Sequence, residues 1–409
     1  MSKTWWSVVG VVALVLLGIG AWRLTGDDEE PGLRAALTDM GTETSELYVY
    51  PEWTTDGRTP VVLARLDGRL RVLDRVAERE RITEPRLDVV LKGGDDARPE
   101  AVATMPGSPT GPWVAVARTP KQVAMDDKTT TERPLVWTGS DPSGDPRATA
   151  EPTRLPVDLR SNGIDGASPL TDAAVARLGS TDVALVGITQ ADRNRTIDLA
   201  SLSTCELDDC RWRPGAVPEN TPVHAVGSTR DGFIALTQER SLSGKPQRSR
   251  IWYADSAELA WEQIGTAPKD GQLALLQDGP GTATLVWRAG EDVLIQTVTK
   301  GRLRTAVPRR PFDWDTTRVE TVLNTGKRWY LAGGRSGRAN VALRYDAAEP
   351  VLWELRDGAW AGLDDPLLTN QPDQRIELLF TDPQKDLRAI SASAVQRVYM
   401  TWRFTRETD

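Results

Sequence analysis

Val223–Ile264 reads VHAVGSTRDGFIALTQERSLSGKPQRSRIWYADSAELAWEQI. Two apolar runs, VHAVG and FIALT, flank a polar turn ending in Asp-Gly, and a hairpin with Trp252 and Trp261 on its arms follows. The runs are too short for helical periodicity and are bounded by Gly, Pro, Asp and Ser, so the segment reads as four consecutive antiparallel strands. Working outward, the same unit returns. Innermost strands are predicted to begin near Ala101 (AVATM), Ala174 (AVARL), Val223 (VHAVG), Leu273 (LALLQ), Val319 (VETVL) and Ile376 (IELLF), at intervals of 73, 49, 50, 46 and 57 residues. A period near fifty residues is the signature of a β-propeller, in which each repeat builds one four-stranded blade.

The other strands follow at matching offsets. Second strands are predicted at Trp113 (WVAVA), Val183 (VALVG), Phe233 (FIALT), Thr284 (TLVW), Trp329 (WYLAG) and Leu387 (LRAIS). Third and fourth arms form hairpins from Arg250, Val293 and Val351, and VVLARLDGRLRVL from Val61 has the same form. Counting that hairpin as the first unit predicts an all-β propeller of seven blades, with six or eight as alternatives because Ala342–Tyr345 adds an unplaced strand. The long first interval holds two insertions, Thr119–Arg133 and Asp141–Pro152, rich in Pro, Asp, Thr and Lys. Leu47–Tyr50 (LYVY) is expected to close the ring as the last blade's fourth strand, leaving no free sheet edge.

The chain has 409 residues, a formal charge of −8 and 58 acidic residues against 50 basic ones. That balance argues against a nucleic-acid partner, whose phosphates demand clustered Lys and Arg. Trp5–Trp22 is free of charge over 18 residues and as a helix would span roughly 27 Å, enough for one bilayer crossing. Tryptophans at its ends suit the membrane interface. Residues 1–4 are then a cytoplasmic tail, 5–22 a transmembrane signal anchor, 23–45 an acidic linker and 46–409 the propeller. Within the linker, Gly32–Met40 has the spacing of a short helix. The alternative is a signal peptide cleaved near Gly18-Ile19-Gly20, which makes the protein secreted.

Cys205 and Cys210 are the only cysteines. They are too few for a four-cysteine zinc site, and His224 has no ligand spacing to them. A local disulfide in an oxidising compartment fits, contributing about 2 kcal/mol in the chain-entropy model; two reduced thiols in a cytosolic loop are the alternative. Membrane anchor and disulfide together predict a propeller outside the cytoplasm.

Asp255–Trp261 and Asp357–Trp360 place an Asp-containing turn before an aromatic residue of the fourth strand. In this they resemble degenerate Asp-box turns of sialidase-type repeats, and the chain resembles a membrane-anchored propeller of actinobacterial type. The resemblance implies fold more than activity, since those turns are structural. Ser or Thr is missing two positions before Asp255, and Ala257 replaces the glycine of the pattern. The arginine-bearing stretch that introduces a sialidase's carboxylate site is also absent, Tyr50-Pro51-Glu52-Trp53 being the nearest segment.

Catalytic signatures are scarce. The lone His224 is the only histidine base, and its place in an innermost strand suits a structural role. Nucleophile-elbow, phosphate-loop and dinucleotide patterns are missing, so no cofactor is expected. The acidic pairs Asp95-Asp96, Asp126-Asp127, Asp208-Asp209 and Asp364-Asp365 lack calcium-loop spacing and predict no metal site. Phe312-Asp313-Trp314-Asp315 combines carboxylates with aromatic rings and is the candidate ligand-contact loop; anchoring of an inter-blade loop is its plainer reading. Trp137, Trp252, Trp353 and Trp402, with Trp212, Trp261 and Trp360, recur at equivalent sites, which points to packing between blades. The sequence therefore predicts a non-catalytic binding or scaffold propeller recognising a protein or envelope glycan. A degenerate sialidase-like glycoside hydrolase and an accessory subunit of a secretion or cell-wall assembly complex are the alternatives.

Overall fold

The computed structural model describes residues 33–41 and most of 52–406, apart from 74–86, 124–129, 140–148, 162–169, 192–197, 239–247, 337–347, 394–398 and shorter loop stretches. Its strands form seven antiparallel blades. The innermost strands are Glu52–Thr55, Arg98–Thr104, Leu170–Leu178, Val223–Thr229, Gly271–Gln277, Thr317–Asn324 and Arg375–Thr381. The blades are numbered 1 to 7 in that order. All six predicted innermost strands and all six predicted second strands are present.

Buried seams explain why each repeat needs its neighbour. In blades 2 and 4 the second strands, Trp113–Arg118 and Gly232–Thr237, are buried at every position, as expected for a strand covered on both faces. Seven apolar clusters match the seven interfaces between consecutive blades. One joins Val61, Leu63 and Leu70 of blade 1 to Trp113 and Trp137 of blade 2; another joins Ala332 and Leu352 of blade 6 to Leu379 and Trp402 of blade 7. The interface of blades 7 and 1, around Tyr399, Val62 and Ala64, is the smallest.

Most of the recurring tryptophans lie in these seams. Trp137 and Trp402 are wholly buried on third strands, and Trp252 and Trp353 nearly so. Three of their indole N–H groups find partners: Trp252 donates to Thr237 Oγ1 at 2.9 Å and Trp402 to Ser391 Oγ at 2.9 Å, each across to the neighbouring strand, and Trp137 to Lys92 O at 3.1 Å. A buried indole left without an acceptor would forfeit much of what its burial contributes.

The ring closes differently from expectation. Leu33–Gly41 pairs antiparallel with Tyr399–Arg406 and becomes the outermost strand of blade 7. The propeller therefore takes in residues from Leu33 onward, and the strand replaces the short helix expected over Gly32–Met40. Leu33, Ala36, Leu37 and Met40 do have helical spacing, but a strand buries Leu33 and Ala35 beside Trp402 and Phe404 and satisfies the edge of Tyr399–Arg406. Leu47–Tyr50, expected in that place, lies outside the described residues, as do Ala342–Tyr345. In blade 1 the VVLARLDGRLRVL hairpin supplies the second and third strands, Pro60–Leu66 and Arg69–Leu73, and Asp88–Leu91 is the fourth.

The insertions and the residues just after them add short strands to blades 1 and 2 and build a small sheet of their own. Thr149–Ala150 adds a parallel strand to Asp88–Leu91, Thr153–Arg154 completes blade 2, and Gln122–Val123, Thr130–Glu132 and Leu159–Ser161 form a separate small sheet. Among the described residues no helix is long and apolar enough to cross a membrane; the apolar segment 5–22 lies outside them.

Candidate functional site: an acidic central channel

A bulge near the start of the innermost strand recurs in five blades. The pairing register skips between Pro99 and Ala101, Val223 and Ala225, Leu273 and Leu275, Val319 and Thr321, and Ile376 and Leu378. The residues set aside are Glu100, His224, Ala274, Glu320 and Glu377. A bulge re-aims one side chain without breaking the sheet. Three of the five are glutamates, each preceded two residues earlier by an arginine: Arg98, Arg318 and Arg375. Glu52, opening the innermost strand of blade 1, and Asp172, in blade 3, continue the series. Five consecutive blades, 6, 7, 1, 2 and 3, thus carry an acid at this level.

These side chains meet in a cavity of about 220 Å³ on the ring axis, lined by Glu52, Glu100, Asp172, Glu320 and Glu377, with Asp278 from the end of the blade 5 strand. Guanidiniums hold part of the charge. Glu100 pairs with Arg118 and, at 3.7 Å, with Arg98. Glu320 pairs with Arg318 at 2.7 Å and Arg375 at 3.6 Å, and Glu377 with Arg375 at 2.5 Å. Arg98 and Arg318 are mostly exposed, the glutamates beside them mostly buried.

The aspartates bind backbone. Asp172 Oδ2 accepts from Val226 N at 3.2 Å, tying blade 3 to blade 4. Asp278 accepts from Ser228 N at 2.6 Å and from Ser228 Oγ at 2.9 Å, tying blade 5 to blade 4. That approach requires Gly227, because a Cβ there would lie 2.6 Å from Asp278 Oδ1. Gln277 and Thr321 extend these links to blades 6 and 7.

Glu52 differs from the rest. Among the described residues its carboxylate has neither hydrogen bond nor ion pair. Burial, then Glu377, Glu100 and Asp172, push its pKa up to about 8, against a smaller opposing pull from Arg98. Burial also raises Asp278 to about 7 and Asp172 to about 6, with their backbone donors pulling the other way, and it raises Glu377. A cavity of this kind, with carboxylates reluctant to ionise, can accept a cation or hold a proton for transfer. Among the described residues no three His, Cys, Asp or Glu side chains are grouped so that they could hold a metal ion.

The residues singled out in the sequence lie elsewhere. Cys205 and Cys210 are disulfide-bonded around the short turn Leu207–Asp209 at the edge of blade 3. Phe312 and Trp314 are buried, Phe312 packing edge-on against Trp314, Trp353 and Trp360 at 4.9, 5.0 and 6.3 Å. Trp314 Nε1 donates to Asp292 O, and Asp313 accepts from Asp315 N and Thr316 Oγ1. The rings of this loop thus face the core, and its carboxylates face solvent. His224 is half-buried at the blade 4 bulge and is not among the cavity-lining residues. Asp95, Asp96, Asp208 and Asp209 are exposed; Asp126, Asp127 and Asp364 lie outside the described residues.

The channel acids were missed because apolar runs, aligned by themselves, place Glu100 one residue before the run of blade 2 but Glu320 and Glu377 inside theirs. Aligning Arg98-Pro99-Glu100, Arg318-Val319-Glu320 and Arg375-Ile376-Glu377 instead reveals the repeated signal.

Fold and site define an all-β, seven-blade propeller with an acidic channel. No family model and no curated protein matches the chain. Solved structures do. The polysaccharide lyase Uly1 is similar at 8% identity and a TM-score of 0.45, over 94% of each chain. A prolyl endopeptidase is similar at 11% and 0.41, over 88% of this chain and 47% of that one, so this chain spans about half its length. The β-propeller domain of the Trilobed protease from Pyrococcus furiosus is similar at 9% and 0.37, over 76% of this chain and 96% of that one.

Proposed function

We propose that this chain is a non-catalytic binding or scaffold propeller that receives a cationic segment of a protein or envelope component at the acidic channel. The observation that carries this reading is the arc of Glu320, Glu377, Glu52, Glu100 and Asp172 on five consecutive blades around one cavity. Burying like charges disfavours the compact fold, so an acidic lining with no structural requirement at Glu52 is the mark of a binding surface. The Cys205–Cys210 disulfide supports a place outside the cytoplasm. The apolar segment 5–22 supports tethering to the membrane, with signal-peptide cleavage and secretion as the alternative.

Arrays of cationic, neutral and anionic peptides and envelope glycans, probed with the full chain, test the reading. Cationic peptides are expected to bind, salt to weaken them, and the triple variant Glu100→Gln, Glu320→Gln, Glu377→Gln to lose them while melting cooperatively. Equal retention of neutral or anionic ligands, or binding unaffected by the triple variant, overturns it.

One observation favours a second reading. A carboxyl held protonated at neutral pH, beside carboxylates backed by arginine, is the pairing that general acid catalysis on a glycoside needs. A degenerate sialidase-like hydrolase releases reducing sugar from an envelope oligosaccharide and loses that activity in Glu52→Gln; absence of product across the glycan array removes this reading.

A further inference from the structure

Glu52 stands apart from every other carboxylate in the channel. Glu100, Glu320 and Glu377 are met by the protein's own guanidiniums, and Asp172 and Asp278 by backbone N–H groups. Glu52 is half-buried, opens on the axial cavity and has no partner of either kind among the described residues. An unpaired, half-buried carboxyl among other acids costs stability and does nothing for packing that Gln or Met could not do. Its position, flanked by Glu377 of blade 7 on one side and Glu100 of blade 2 on the other, makes it the centre of the acidic arc.

We propose that the cavity admits one primary ammonium group, from a lysine side chain of a partner or from a free diamine, and seats it against Glu52. This rests on the binding reading above and names its ligand chemistry. The choice of ammonium follows from the donor set. The acids come from separate strands and are not grouped for a shared metal ion, which disfavours a bare divalent ion. An ammonium is compact and needs one carboxylate for its charge, its other N–H donors being free to meet water or backbone carbonyls. A planar guanidinium instead asks for a bidentate carboxylate, and the neighbouring glutamates are already engaged by Arg118, Arg318 and Arg375.

Proton exchange follows from the same geometry. The groups that act on Glu52 are Glu377, Glu100, Asp172 and Arg98. Three of the four are acidic and, with burial, hold Glu52 protonated near neutral pH. An arriving ammonium stabilises the carboxylate, the Glu52 proton leaves to solvent, and charge balances inside the cavity. Affinity therefore rises with pH until Glu52 is ionised without help, near pH 8.

The test is isothermal titration of the full chain with 1,5-diaminopentane and, separately, with an end-blocked alanine peptide carrying one central lysine. Each titration is run from pH 6 to 8.5 in two buffers of different ionisation enthalpy. The expected result is release of close to one proton per ligand at pH 7 and about tenfold tighter binding per pH unit below pH 8. Glu52→Gln should abolish both the release and the slope. Binding of the diamine alone identifies a free amine as the source, and binding of the peptide alone identifies a partner's lysine. Binding without proton release in the wild type overturns the proposal, and that measurement needs no variant. If cationic peptides bind through Glu100, Glu320 and Glu377 but ignore Glu52, the ammonium site falls and the binding reading stands. If no cation binds, both fall.

Discussion

Residue by residue, the propeller depends on a few polar side chains that cross from one blade to the next. Glu354, on the third strand of blade 6, is buried and accepts from Arg328 at 3.2 Å, Arg356 at 2.6 Å, Tyr330 Oη at 3.2 Å and Arg406 of blade 7. Truncating it leaves three guanidiniums and a phenol to find other partners in a half-dry seam. Glu354→Ala is expected to destabilise by about 3–5 kcal/mol, and Glu354→Gln by less, read as the shift in urea midpoint. Gly227 makes a smaller and different demand. A methyl there would press on Asp278 Oδ1 at 2.6 Å and on Leu276 at 3.0 Å, forcing blades 4 and 5 apart. Gly227→Ala should cost about 1–3 kcal/mol. Asp278→Ala, which strips Ser228 N–H of its acceptor, should cost a similar amount. Combining the two should give less than their sum, because the closer of the two clashes, that with Asp278, disappears with the aspartate.

At the level of elements, the closing strand carries a separate risk. Tyr399–Arg406 is covered along its outer edge by Leu33–Gly41 alone, and Trp402 and Phe404 are buried partly against Leu33 and Ala35. Deleting residues 1–41 should expose that edge and promote association through it, visible as concentration-dependent light scattering and loss of a single unfolding transition. Ala35→Asp, which puts a charge into the same cluster, should do so more mildly. The blades themselves were legible in the sequence because apolar runs buried on both faces survive as uninterrupted stretches, as in WVAVA from Trp113 and FIALT from Phe233. Leu33–Gly41 was not, since LRAALTDMG satisfies helical spacing equally well, and only the unpaired edge 366 residues later at Tyr399 decides the matter. The channel acids were hidden for a related reason. Bulges displace Glu100, Glu320 and Glu377 from strict alternation, so a reading tuned to period two treats them as noise. The tryptophans, by contrast, repeat at equivalent strand positions, and the packing role expected for Trp137, Trp252 and Trp402 is the one they have.

For the molecule as a whole, the acidic channel favours stability below neutral pH. Glu52, Asp278 and Asp172 have pKa values raised to about 8, 7 and 6, all above those of an unfolded chain. The native state therefore holds protons that the unfolded state has already released. The stability this contributes is complete below about pH 4 and is lost as pH rises through 6, 7 and 8. The melting temperature should fall between pH 5.5 and pH 8.5, the reverse of what salt-bridged carboxylates with lowered pKa values produce. Glu52→Gln mimics the protonated form and should flatten that decline, its advantage over wild type growing by on the order of 3 kcal/mol from pH 5.5 to pH 8.5. A wild-type melting temperature that climbs across this range would show that the channel carboxylates ionise freely. The same measurement separates the empty ring from the occupied one. A cation seated among the acids replaces the protons, so a saturating amine should raise the melting temperature most at pH 8.5, where the empty channel is least stable, and scarcely at pH 5.5. On the proposed binding reading, stability and recognition are opposed through the same carboxylates: the charge that weakens the free propeller above neutral pH is the charge that would hold the amine.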